Sequence, residues 1–175
     1  MIVMDNDNKD TNKDDNKYLI FSLDQNLYGL AIENVSEIIE YQHPTKIPNL
    51  PPYIHGLLNL RGKVVPLIDF NLYLGQTNTK VLKKTCAVII NCLFNNKLIS
   101  LGILVDDVLD VIEVLPSSLE ATPDFNIKIR SEFVKNMFVL NEQIVILLDI
   151  NQVFSVNTLN IIADIPNAAQ PTDHV

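Results

Sequence analysis

Two apolar motifs occur twice in this chain at nearly constant spacing, and a duplicated strand pattern narrows the fold more than any single residue does. GLAIENVSEII begins at Gly29 and GILVDDVLDVI at Gly102, an offset of 73. Gly29 aligns with Gly102, Val35 with Val108, Glu33 with Asp106 and Glu37 with Asp110. VVPLIDFNLYL from Val64 and IVILLDINQVF from Ile144 repeat at an offset of 80, placing Asp69 on Asp149 and Asn71 on Asn151. In each copy a buried-type strand ends in Asp and a short apolar helix follows. The simplest reading is two copies of one small barrel with the same strand order.

Short runs of Val, Ile, Leu and aromatic residues predict strands over 18–23, 28–32, 57–60, 64–68, 86–93, 98–105, 108–114, 134–140 and 144–148. Turn chemistry separates them at Asp24-Gln25-Asn26, Asn95-Asn96 and Asn141-Glu142. Many short strands with polar turns make a mainly β chain, a barrel or sandwich. Four of the nine prolines fall between Pro44 and Pro52, which predicts a stiff loop without ladder bonds. One turn of helix is expected next at Tyr53-Ile54-His55. Pro66 interrupts an apolar strand, so an edge position or a bulge is expected there.

The stretch Gly56 to Gly75 carries the strongest functional signal. Its two apolar runs join through Arg61-Gly62-Lys63, with Gly62 supplying the positive φ that a tight connection needs. Arg61 and Arg130 are the only arginines among 13 basic residues. A guanidinium held on a rigid turn above an apolar sheet suits recognition of a carboxylate on another protein.

Composition excludes several classes. The chain has 175 residues, 47% of them hydrophobic, and a mean hydropathy of +0.17, enough for a substantial core. A net charge of −8 argues against nucleic acid and anionic membrane as partners, since both are bound through clustered Lys and Arg. No run approaches the ~18 apolar residues of a membrane span, so no direct insertion is expected. Met1 to Met4 give way at once to DNDNKDTNKDDNK, unlike a signal peptide. Cys86 and Cys92 share one apolar segment. On a straight strand six residues span about 20 Å, too far for a disulfide.

Catalytic constellations are weak. Asp69 and Asp149 could form a shared-proton dyad on two related halves, as in an aspartyl hydrolase. Each is followed by a bulky apolar residue, then Asn, then an apolar helix, which suits a helix N-cap instead. His43, His55 and His174 show no ligand spacing, and Asp106, Asp107 and Asp110 do not follow a calcium loop. With no phosphate loop and no nucleophile elbow, neither a cofactor nor a metal is expected. What remains is a protein that binds other proteins.

The string NLRGKVVPLIDF (Asn59 to Phe70), preceded by IHG from Ile54 and YGLAIENVSEII from Tyr28, resembles the CheW-like coupling proteins of bacterial chemotaxis. GILVDDVLDVIEV and TPDF (Thr122 to Phe125) fit the same pattern, and the similarity runs from about Tyr18 to Phe154. The resemblance implies two intertwined five-stranded SH3-like barrels related by a pseudo-twofold, with an apolar groove between them. It implies a non-catalytic cytoplasmic adaptor, recruited to membrane receptor arrays, that joins the cytoplasmic tips of methyl-accepting chemoreceptors to the regulatory domain of a CheA-type histidine kinase. Relatives also serve twitching and other receptor–kinase pathways. Carried over by position, the receptor-coupling surface comprises Val35, Glu37, Gly56 and Arg61, with Gly62 holding the turn. A receptor helix is expected to lie in the groove, with Arg61 reaching an acidic or carbonyl group on it. The kinase surface is expected on apolar barrel-end residues, mainly of the second barrel. The expected organisation is a disordered acidic extension over 1–16, a CheW-like domain over 17–155 whose subdomains (17–84 and 85–155) exchange strands, and a C-terminal helix or tail over 156–175.

Overall fold

The computed structural model describes residues 16–121 and 129–169. The acidic segment before Asn16, the TPDF motif and the chain after Ala169 lie outside the described residues. The first half contributes β1 (Lys17–Leu23), β2 (Asn26–Ala31), β3 (Val35–Glu40), β4 (Ile54–Leu60), β5 (Lys63–Asp69) and α1 (Phe70–Tyr73). The second contributes β6 (Cys86–Phe94), β7 (Lys97–Val105), β8 (Asp107–Glu113), β9 (Val134–Leu140), β10 (Gln143–Leu148), α2 (Ile150–Val153) and α3 (Val156–Ala169).

These strands form two five-stranded sheets, ordered β8-β1-β2-β10-β9 and β3-β6-β7-β5-β4. The orders are identical once β1–β5 are exchanged with β6–β10, so the duplication seen in the sequence is a pseudo-twofold of the fold. Each sheet draws strands from both halves of the chain. Gly29 sits opposite Leu147 in a parallel pairing and Gly102 opposite Leu67 in the equivalent one. Each sheet closes into a barrel through one bridge. Thr45 and Leu57 exchange both backbone bonds at 2.9 and 2.7 Å, and Glu120 and Met137 do the same at 2.8 and 3.0 Å.

Four hairpins turn over two residues, and all eight tip residues have positive φ, the geometry that matches strand twist. Asp24-Gln25, Asn95-Asn96 and Asn141-Glu142 achieve this without glycine. Gly62 therefore eases its turn (φ 82°) without being the feature that makes it, since Arg61 beside it already has φ 52°.

One strand was not expected: Val35–Glu40, whose Val-Ser-Glu-Ile-Ile-Glu run has no regular apolar alternation. Two expectations need correction. Ile54 and His55 open β4 and form no helical turn. Pro66 lies in a strand flanked on both sides, yet no ladder bond is lost. Leu57, its partner on β4, spends both backbone groups on Thr45, so Pro66 faces β4 across a non-bonded pair, and pairing with β7 begins only at Leu67.

The largest apolar cluster lies between the barrels. It unites the outer faces of β1–β2 (Leu19, Phe21, Leu30) and β6–β7 (Val88, Ile90, Ile103) with Phe70, Phe154 and the buried side of α3. An aromatic chain crosses it, Phe21 contacting Tyr28 and Phe70 at 6.1 and 6.2 Å, and Phe154 contacting Phe70 and Tyr73 at 6.2 and 5.0 Å. The barrel interiors are smaller clusters, one around Ile20, Val145 and Leu147, the other around Leu67, Ile89 and Leu104. Much of the space between the barrels is thus occupied by the protein's own side chains, and a cleft of about 610 Å³ remains at the seam between Tyr73–Gly75 and the Arg130–Phe133 segment. Leu159, Ile162 and Ile165 of α3 are buried, while Val156 and Asn160 face outward. Among the described residues no helix is long and apolar enough to cross a membrane.

Candidate functional site

The two repeated aspartates act as helix caps. Asp69 is 3% exposed and accepts from the Leu72 amide at 3.3 Å and from the Thr79 amide and hydroxyl at 3.0 and 2.7 Å. Asp149 accepts from the Asn151 amide at 3.1 Å. Neither carboxylate is hydrogen-bonded to the other, and each satisfies a different helix start, so the dyad geometry is missing. Asp106 accepts from the Asp24 amide (2.7 Å) and from Asn71 Nδ2 (3.0 Å), tying the β1–β2 tip to α1. Both cysteines are free thiols on β6, and burial pushes the Cys92 thiol up to about 11. Among the described residues no group of three His, Cys, Asp or Glu side chains could hold a metal ion.

The β4–β5 tip gathers part of the expected partner surface. Arg61 projects from the turn with its side chain 75% exposed and is hydrogen-bonded through Nη2 to Oε2 of Glu37 on β3. Glu37 raises the Arg61 pKa, first through this hydrogen bond and then through its charge. Asn59 Oδ1 accepts the Gly62 amide at 3.0 Å and holds the turn from inside. Arg61 is therefore not a lone guanidinium. It is one half of an exposed pair, a contact that solvent screens and a partner's carboxylate can share.

The other expected residues have different surroundings. Val35 is half-buried, pairs with Ile90 at the start of β3 and packs on the shared core. Gly56 is buried. A Cβ there would lie 2.7 Å from Pro44 Cβ and 2.8 Å from the Thr45 carbonyl, so its place is beneath the loop that closes the barrel. Arg61, Glu37 and Gly62 thus meet at one tip, while Val35 and Gly56 support the elements that carry it.

Sequence reasoning missed the opposite tip. On β9–β10, Val139 and Ile144 face each other across the ladder and are 56% and 50% exposed. The offset of 80 held the signal, because it places them on Asn59 and Val64 of the arginine-bearing hairpin. Leu109 and Val111 of β8, in the same sheet, are also exposed.

A pair of fused barrels, caps in place of a dyad, an exposed charged tip and exposed apolar side chains at other tips define a protein-binding scaffold. The CheW-like domain family matches residues 17–157. The chemotaxis protein CheW of Klebsiella aerogenes is 33% identical over 139 residues, 79% of this chain and 81% of that one. The chemotaxis protein CheW of Bacillus subtilis is 33% identical over 108 residues, 62% of this chain and 67% of its own. The crystal structure of the scaffolding protein TtCheW from Thermoanaerobacter tengcongensis superposes with a TM-score of 0.71 at 31% identity, covering 82% of this chain and 90% of that one. The chain belongs to the CheW-like family and is an adaptor of chemotaxis signalling.

Proposed function

We propose that this adaptor joins the cytoplasmic tips of methyl-accepting chemoreceptors to a CheA-type histidine kinase, with the two barrel tips divided between them. The receptor face centres on Arg61, Glu37 and Gly62, with Val35 and Gly56 setting the position of β3 and of the closing loop. The observation that carries this reading is the Arg61–Glu37 pair, with the guanidinium exposed on a two-residue turn. The kinase face is the apolar tip at Val139 and Ile144, where exposed branched side chains sit on paired strands and lose little entropy on binding. The protein works by contact alone, in the cytoplasm, recruited to receptor arrays through these faces.

Arg61→Glu tests the receptor face. It places two carboxylates side by side at the tip and leaves the buried core untouched. The expected result is an unchanged thermal melt with loss of receptor co-sedimentation, while kinase binding persists. Undiminished receptor binding by the folded variant would remove Arg61 from the interface. A Val139→Asp, Ile144→Asp variant should show the reverse pattern.

A further inference from the structure

The two hairpins at the centres of the sheets are equivalent by the pseudo-twofold, yet one is longer. Ile20 opposes Gly29 and Ile89 opposes Gly102, which equates Leu23 with Cys92 and Asn26 with Ile99. β1–β2 turns over directly after Leu23, whereas β6–β7 runs on through Leu93, Phe94, Lys97 and Leu98 before its own two-residue turn closes. This additional stretch contributes little to the core. Leu93 and Leu98 oppose each other and are 62% and 70% exposed.

Beside it lies a cleft of about 280 Å³, walled by Phe94 and Leu98 on one hairpin, Val64 and Pro66 on the other, and Ile162 of α3. Lys63 and Lys97 stand on its rim, and among the described residues neither is in an ion pair with a carboxylate. Lys63 follows Arg61 by two residues, so the cationic rim continues from the Arg61 tip. A second copy of this chain is a poor occupant. Two copies would bring four lysines together, and two leucines expose far less than the ~800 Å² per partner of a stable dimer.

We infer that this cleft is a second contact for the chemoreceptor, receiving an apolar segment that carries carboxylates, with Leu98 and Phe94 as anchors and Lys97 and Lys63 as charge partners. The inference rests on the receptor reading of the Arg61 tip and extends it along the surface. Both the extended hairpin and the rim lysines favour such a segment, since apolar anchors supply affinity and flanking charges set its orientation.

The test measures binding of the full chain to a soluble cytoplasmic fragment of the chemoreceptor at two salt concentrations, for wild type, Arg61→Glu and a Lys97→Glu, Leu98→Asp double variant. Both residues of the double variant are exposed, and a thermal melt checks that it folds. The expected result is binding weakened about tenfold or more in the double variant, with less salt dependence than wild type. Affinity within twofold of wild type, while Arg61→Glu abolishes binding, would overturn the cleft and spare the tip. Loss in the double variant with full binding by Arg61→Glu would keep the cleft and discard the tip. Wild-type binding by both variants would overturn both.

Discussion

The β4–β5 and β9–β10 hairpins have the same length, the same two-residue turn and the same place in their barrels, but they present opposite chemistry. One carries Arg61-Gly62 over Asn59 and Val64, its guanidinium joined to Glu37. The other carries Asn141-Glu142 over an exposed Val139–Ile144 pair. A duplicated scaffold thus keeps backbone geometry fixed while the outward positions diverge. Backbone pairing constrains only the inward face and the turn, so the solvent face of each copy is free to take up a different partner.

The contrast holds only if the two barrels behave as one body, and the largest expected effect tests that. Phe21→Ala removes a fully buried ring from the aromatic chain between the barrels and should cost about 3–5 kcal/mol. Chemical denaturation should remain a single transition for both wild type and variant. Two separated transitions would show that the barrels are independent.

Next in size is the closing loop. Gly56→Ala forces a Cβ against Pro44 and the Thr45 carbonyl, and should cost about 1–3 kcal/mol in a denaturant titration. A neutral result would show that the loop yields, and that barrel closure is looser than the paired bonds at Thr45 and Leu57 suggest.

The turn itself gives a smaller effect. A Cβ at Gly62 meets nothing within 4 Å, so only its φ of 82° resists substitution. Gly62→Val should cost about 1–2 kcal/mol in thermal melts. Gly62→Asn should cost less, because Asn96 holds the equivalent position in β6–β7 at φ 61°. Equal losses for Asn and Val would mean that this tip tolerates less than its three counterparts.

The smallest effect is on pH. Burial lowers the His55 pKa below its ordinary 6.5, a shift partly opposed by the charge of Asp69. The unfolded chain then binds more protons than the folded one between the lowered value and 6.5. Stability should be complete above pH 6.5 and decline as pH falls through the lowered value. Melts of wild type and His55→Gln across that window should converge at low pH, and parallel curves would rule out His55 as the source.

Much of the fold was legible in the sequence because its signals are local. The nine expected strands all exist, within a few residues at their ends, since β-branched runs and Asn, Asp and Gly turns act over four to eight residues. The aspartate caps were equally local, each carboxylate reaching an amide two or three residues away. β3 was not legible, because three of its residues point outward and carry no apolar period. The surface tip was half legible. Arg61 stood out by rarity, but its pairing with Glu37 joins residues 24 apart that meet only once the barrel closes.

The sequence by itself determined the strands, their turns, the duplication and, through the NLRGKVVPLIDF string, the family. Only the tertiary structure decided which half supplies each strand of a barrel, that one large apolar core joins the two barrels, and which side chains remain outside it. The reason is physical. Turns and periodicity follow from backbone sterics and side-chain alternation over a few residues, whereas pairing between distant strands is selected by the apolar surface that the whole chain can bury at once.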